Sequence, residues 1–328
     1  MRLRTTMALV ASATTLAALG AAPALAADGA HRLSGPSTGD PDVFLTFVGC
    51  DNLFGAAQPP QSRLNLGPYT APLGRRSLGL VPPGAGTATG PFTRFDSLAA
   101  FDSTLAVAST SGSQGVSYVM AITSDNLPGT AWRGRAALSA PAGAWTTVSP
   151  AVTTYDWTLV DLATLSSLGA PETATTAAFA ATHGDGAGFA VTGFGCDGSP
   201  FNLDAIRGSG ATFDFEGTTL ATTVAVDRTA VDAGQSVWLT GRVTDPSGRV
   251  TGDPLVLESR RPGGSWAPVG DLVLGGPNGL ARVDVPVAET TEFRWHRPES
   301  QYADEGWSDA VTVTVAPPAA APEGAPKE

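Results

Sequence analysis

After residue 26 the sequence has no apolar run near the ~20 residues that a membrane-spanning helix needs. The run inside residues 1–26 is short and broken by Thr and Ser. Arg2 and Arg4 precede it and Ala24-Leu25-Ala26 follows it, the layout of a secretory signal peptide cleaved before Ala27. That segment holds no cysteine, which excludes lipid attachment there. Lysine is nearly missing too: Lys327 is the only one beside 18 arginines, a bias that reads as high-GC codon usage. Basic residues are few altogether. The formal net charge is −11, and it becomes −13 once Arg2 and Arg4 leave with the signal. An acidic chain repels nucleic acid and anionic lipid, so neither is expected as a partner.

Cysteine is scarce. In the oxidising compartment that a signal peptide implies, the isolated pair Cys50 and Cys196 is expected to form a disulfide. Two cysteines without a nearby histidine make a poor metal site and a poor thiol nucleophile. The three histidines are His31, His183 in a Gly-rich stretch, and His296 in a strand-like stretch. G-x-S-x-G, H-E-x-x-H, a Walker loop and G-x-G-x-x-G at a strand–helix junction are all missing. A Ser-His-Asp arrangement would have to use His183, and nothing in the sequence orients it. Carboxylate pairs for glycoside hydrolysis could come from Asp96 with Asp102 or Asp214 with Glu216. Both pairs sit in polar, turn-like contexts and read as solvated. The expectation is a protein that is not an enzyme, with a small secreted glycoside hydrolase as the most distant alternative.

Long stretches of 3.6-residue periodicity are absent as well. What fills the chain instead is 39 Gly and 26 Pro punctuating short runs of Val, Thr, Phe, Trp and Leu, the pattern of an all-β protein built of sandwiches. The 302 residues after the signal suit two domains. Residues 27–41 read as a flexible leader, 42–216 as the first β-sandwich domain, 217–315 as the second, and 316–328 as a disordered Pro/Ala-rich tail. Strand candidates in the first domain are 43–48, 76–80, 117–123, 133–138, 145–148, 155–160, 177–182, 188–194 and 201–207. In the second domain, 236–243 alternates cleanly: Val237, Leu239 and Val243 point one way and Trp238, Thr240 and Arg242 the other.

The second domain strings together V-W-L-T-G-R-V, P-L-V-L-E-S-R-R, G-G-S-W, G-L-A-R-V-D-V-P-V, T-T-E-F-R-W and S-D-A-V-T-V-T-V. That order resembles bacterial immunoglobulin-like domains, which implies a spacer or docking module without catalytic residues. The first domain carries G-R-R-S-L-G-L at 74–80, A-W-T-T-V-S-P at 144–150 and G-F-G-C-D-G-S-P-F-N-L-D-A-I-R at 193–207. It resembles the galactose-binding-like jelly rolls of carbohydrate-binding modules. The resemblance implies sugar binding on a sheet face or loop rim and a structural calcium ion held by Asp204.

Sugars stack their C–H faces on aromatic rings, with polar groups ordering the hydroxyls. Tyr155 and Trp157 lie two apart and so share one strand face, where they could form a stacking platform, although such pairs more often sit in a core. Trp145 follows a Gly/Pro-rich turn and is the third candidate. The expected function is a secreted or cell-wall-associated binding protein, with a polysaccharide or cell-surface ligand on the first domain. An adhesion protein acting through protein–protein contacts is the alternative.

Overall fold

The computed structural model describes residues 29–316, so the signal-peptide reading and all of the tail beyond Ala316 lie outside the described residues. The first domain runs β1 (His31–Leu33), β2 (Val43–Gly49), β3 (Gln61–Asn65), β4 (Ser77–Val81), β5 (Thr87–Phe95), β6 (Thr104–Ala108) and β7 (Ser113–Thr123). It continues with β8 (Thr130–Ala140), β9 (Trp145–Val148), β10 (Thr154–Asp161), β11 (Glu172–Thr175), α1 (Thr176–His183), β12 (Gly186–Phe194), β13 (Phe201–Gly208) and β14 (Ala211–Phe215).

These strands form two sheets of seven. In the first sheet β3, β4, β13, β6 and β9 lie side by side, β14 pairs with the later half of β13, and β1 pairs in parallel with β14. The second sheet has the order β11-β10-β8-β7-β12-β5-β2. Leu78, Leu203 and Phe213 of the first sheet pack against Val43 and Phe194 of the second, so the core lies between the sheets. A disulfide joins Cys50 to Cys196, the residues that follow β2 and β12.

Two expectations fail locally. The leader is not loose throughout: β1 sits within it, paired through His31, Arg32 and Leu33 to residues 213–215, with Leu33 buried in the core. The strand expected over 177–182 is the helix α1. Its Ala-Ala-Phe-Ala-Ala core has high helix propensity, and Thr175 caps it by accepting a hydrogen bond from the Ala178 N–H.

The second domain contains β15 (Ala221–Val226), β16 (Ala230–Val231), β17 (Gln235–Thr244), β18 (Val256–Arg260), β19 (Ala267–Pro268), β20 (Ala281–Val287), β21 (Thr291–Arg297), β22 (Gly306–Trp307) and β23 (Val311–Val315). One sheet has the order β15-β17-β20. The other has β16-β23-β21-β18-β19, with β22 beside β21. The fold is thus all-β, with two sandwiches in series. Val237, Leu239 and Val243 are buried against Trp295 and Val313, and Trp238 faces out beneath the Arg282 guanidinium. Gly241 is needed in this strand, because a Cβ there would come within 2.8 Å of the Trp295 indole.

Candidate ligand-binding face

The outer face of the first sheet carries one cross-strand row assembled from five strands. Arg63 on β3 is in register with Gly79 on β4, Gly79 with Asn202 on β13, Asn202 with Ala108 on β6, and Ala108 with Trp145 on β9. Partners in register project to the same side of a sheet. The row therefore sets a guanidinium and an indole at its two ends, about 19 Å apart at ~4.8 Å per strand. Two of the three residues between them are the smallest available.

Gly79 has a steric reason. A Cβ there would lie 2.3 Å from Asn65 Nδ2, so glycine lets the Asn65 amide lean over the strand. Asn202 Nδ2 then donates to Asn65 Oδ1 and to Ser77 Oγ, both at 2.8 Å, and the Gly67 N–H donates to Asn65 Oδ1 at 2.7 Å. These bonds fix both amides and leave Asn65 Nδ2 and Asn202 Oδ1 without partners among the described residues. A fixed donor beside a fixed acceptor suits vicinal hydroxyls. Gln61, Arg63, Asn65, Gly79 and Asn202 line a cavity of about 420 Å³ over this part of the sheet.

Trp145 stands half-buried beside the fully buried Ala108, after an exposed turn in which Gly143 takes φ 97°. Of the three aromatic candidates it alone shares this face. Tyr155 and Trp157 do share one strand face, but it is the inner one. Both are 0% exposed. Tyr155 donates to the Pro150 carbonyl at 3.0 Å, burial raises its phenol pKa, and Trp157 stacks on Phe179 of α1 at 4.0 Å. They are core residues and cannot be a stacking platform.

Asp204 lies two residues beyond Asn202 on the same strand, where loop 66–76 covers the sheet. It is fully buried, with Oδ2 accepting from the Leu73 N–H at 3.0 Å and Oδ1 from the Phe215 N–H at 3.4 Å. Burial pushes its pKa up to about 7, against the pull of those backbone N–H groups and helped by Asp214 nearby. Both of its oxygens are already taken by backbone N–H groups of this chain. Among the described residues no cluster of three or more His, Cys, Asp or Glu side chains could hold a metal ion. The donor set does not fit the expected calcium.

The pair Asp214 and Glu216 is also buried rather than solvated. Glu216 accepts from the Arg76 N–H at 3.0 Å and pairs with the Arg76 guanidinium at 3.2 Å. Arg76 is itself 0% exposed and reaches across to the second domain. It contacts Asp304, the Glu299 carboxylate at 3.1 Å and the Ser300 carbonyl at 2.9 Å. Both Asp214 oxygens are buried without a partner, and burial followed by the Glu216 charge raises its pKa to about 6.

That chemistry fixes the pH dependence. Asp204 and Asp214 take up protons more readily folded than unfolded, so their contribution to stability is greatest below the ordinary carboxyl value and is lost as pH rises through about 6 and 7. The lowered carboxyls of Asp304, Asp125 and Asp185 act the other way, losing stability as pH falls below their ordinary range. Thermal unfolding should therefore show a maximum near pH 4 and a decline at higher pH, on the order of 2–4 kcal/mol of it between pH 5 and 8. A flat profile between pH 5 and 8 would contradict this.

His183 is oriented after all, contrary to the sequence expectation. Its Nδ1 lies 2.6 Å from Asp125 Oδ2 and its Nε2 lies 2.6 Å from Glu172 Oε1, while the ring stacks on Phe179. Nδ1 is engaged by a hydrogen bond with Asp125, and Nε2 is buried without hydrogen-bond geometry to any partner, so neither nitrogen meets a hydroxyl among the described residues. Asp102 is held by Arg207 at 2.8 Å, on an exposed edge. No protein-family model matches the chain, and no curated protein matches it.

Proposed function

We propose that this is a secreted, non-catalytic binding protein whose first domain holds a glycan on the outer face of its first sheet. The immunoglobulin-like second domain serves as spacer or docking module. The observation that carries the reading is the row Arg63–Gly79–Asn202–Ala108–Trp145, where a half-buried indole and the immobilised Asn202 amide, with Asn65 beside it, share the outer face over a floor of glycine and alanine. Amides and a guanidinium bind and orient but do not shuttle protons near neutral pH. The carboxyls with raised pKa are sealed at the junction of the domains, which weighs against a hydrolase.

The test is co-sedimentation of residues 27–328 with insoluble polysaccharides, together with a soluble glycan array. Trp145→Ala is expected to weaken binding about five- to thirtyfold while leaving the melting temperature within a few degrees. A stacked ring contributes roughly 1–2 kcal/mol, and this tryptophan is not a core residue. Binding that is unchanged in Trp145→Ala would remove this face as the site.

Protein adhesion is the second reading, and a separate observation favours it. On the outer face of the other sheet Phe44, Phe92 and Phe189 stack in series at 4.5 and 5.0 Å. Phe44 is 38% exposed, and Ile122 on the same sheet 56%. Such an apolar patch suits a protein surface better than a hydroxylated one. It becomes the leading reading if no glycan binds.

A further inference from the structure

We infer that the ligand of the Arg63–Trp145 face is anionic, a saccharide chain bearing carboxylate or phosphate groups. The inference rests on the reading of that face as a glycan site. Acidic residues outnumber basic ones 30 to 19, and arginines are accordingly claimed by carboxylates across the fold: Arg32, Arg75, Arg76, Arg94, Arg207 and Arg260 are examples. Others find different partners, as Arg282 does over Trp238 and Arg297 does at the Asp304 carbonyl. Arg63 and Arg133 make no ion pair, hydrogen bond or ring contact among the described residues, and of the two it is the exposed Arg63 that lines the cavity.

That cavity contains no Asp or Glu at all. Its polar groups are Arg63 with the neutral Gln61, Ser62, Asn65 and Asn202. In a chain this acidic, a carboxylate-free cleft with one unclaimed guanidinium is a local reversal of sign. A planar guanidinium presents paired N–H donors that match a carboxylate or phosphate, and the neighbouring amides add hydrogen bonds without adding charge. Repulsion from the rest of the surface is screened within about 8 Å at physiological salt, so a local cation decides the contact there.

The experiment uses residues 27–328 at 150 mM salt, with a panel of uronate polymers, their methyl esters as neutral counterparts, and poly(glycerol phosphate). A uronate polymer should bind at least tenfold more tightly than its own ester. Arg63→Gln should bring the two within twofold, with binding of the acid falling far more than binding of the ester, and Arg63→Lys should restore part of the preference. The phosphate arm separates the two sources of charge, since the better-bound polymer identifies the natural group. Equal binding of acid and ester, or a preference that survives Arg63→Gln, overturns the inference while the glycan site stands. If neither charged nor neutral polymers bind and Trp145→Ala changes nothing, the glycan reading falls and this inference falls with it.

Discussion

Replacing Arg76 with Met is expected to destabilise the protein by about 3–5 kcal/mol, the usual result of removing one partner from a buried ion pair. The loss has a specific source. Arg76 is wholly buried, and its guanidinium answers Glu216 in the first domain and Asp304 and Glu299 in the second. Without it Glu216, only 2% exposed, keeps the Arg75 and Arg76 backbone N–H groups but only a distant cation, Arg32 at 3.6 Å. Methionine fills the space but leaves that negative charge buried beside Asp214. The double variant Arg76→Met with Glu216→Gln should recover part of the loss, because removing both charges also removes the uncompensated one. Urea unfolding of the single and double variants measures this. A single variant within 1 kcal/mol of the wild type would mean that the ion pair only balances its own desolvation.

The same substitution should loosen the joint between the domains. Besides Arg76, the junction is held by the Arg75–Glu299 pair at 2.7 Å, the Arg32–Asp304 pair at 3.3 Å and a hydrogen bond from the Thr218 N–H to the Tyr302 carbonyl at 2.6 Å. Gly217 has no room for a side chain, since a Cβ would meet the Tyr302 carbonyl oxygen at 2.6 Å. Residues 209–219, S-G-A-T-F-D-F-E-G-T-T, have the composition of a linker but are mostly strand and packed backbone: Ala211–Phe215 is β14, and only the residues after Glu216 connect the domains. Loop 66–76, whose backbone N–H groups hold Asp204 and Glu216, also closes one end of the candidate face. The joint and the binding face therefore share a supporting element.

Local patterns in the sequence were sufficient for much of the fold. The strand 236–243 is legible because one side is buried and the other is not, so alternation marks it. The strand 145–148 is legible because turn residues bracket it. By contrast β5 is hidden by Gly90 and Pro91, a pair that argues against a central strand, although β5 lies between β12 and β2. For Tyr155 and Trp157 the two-residue spacing identified a shared face but not which face, since that depends on where α1 and the opposite sheet lie. The candidate row is illegible in principle. Its five residues come from positions 63, 79, 108, 145 and 202, and only the strand order brings them together. The reading of Asp214 and Glu216 as solvated failed for a similar reason: polar residues in a short strand look exposed until another domain covers them.

Removing the disulfide, by Cys50→Ala with Cys196→Ala, should lower stability by up to about 5 kcal/mol. The bond closes a loop of 146 residues, and the entropy of closing so long a loop in the unfolded chain sets that value. For a protein of this size that corresponds to a fall of roughly 10–20 °C in melting temperature. The folded state should change little, because other bonds hold the same backbone. Gly86 bridges the two half-cystines, its carbonyl accepting from the Cys50 N–H at 3.0 Å and its N–H donating to the Cys196 carbonyl at 2.9 Å. The Cys50 carbonyl also accepts from the Tyr118 hydroxyl at 2.8 Å and from Arg135 at 2.9 Å. The bond ties the ends of β2 and β12, which flank β5 in the second sheet, whereas the candidate face lies on the first. Ligand affinity at 25 °C should accordingly be unchanged while the melting temperature falls. If affinity falls with stability, the clamp on the second sheet is also shaping the first, through the core of Val43, Phe194, Leu78 and Leu203 that lies between them.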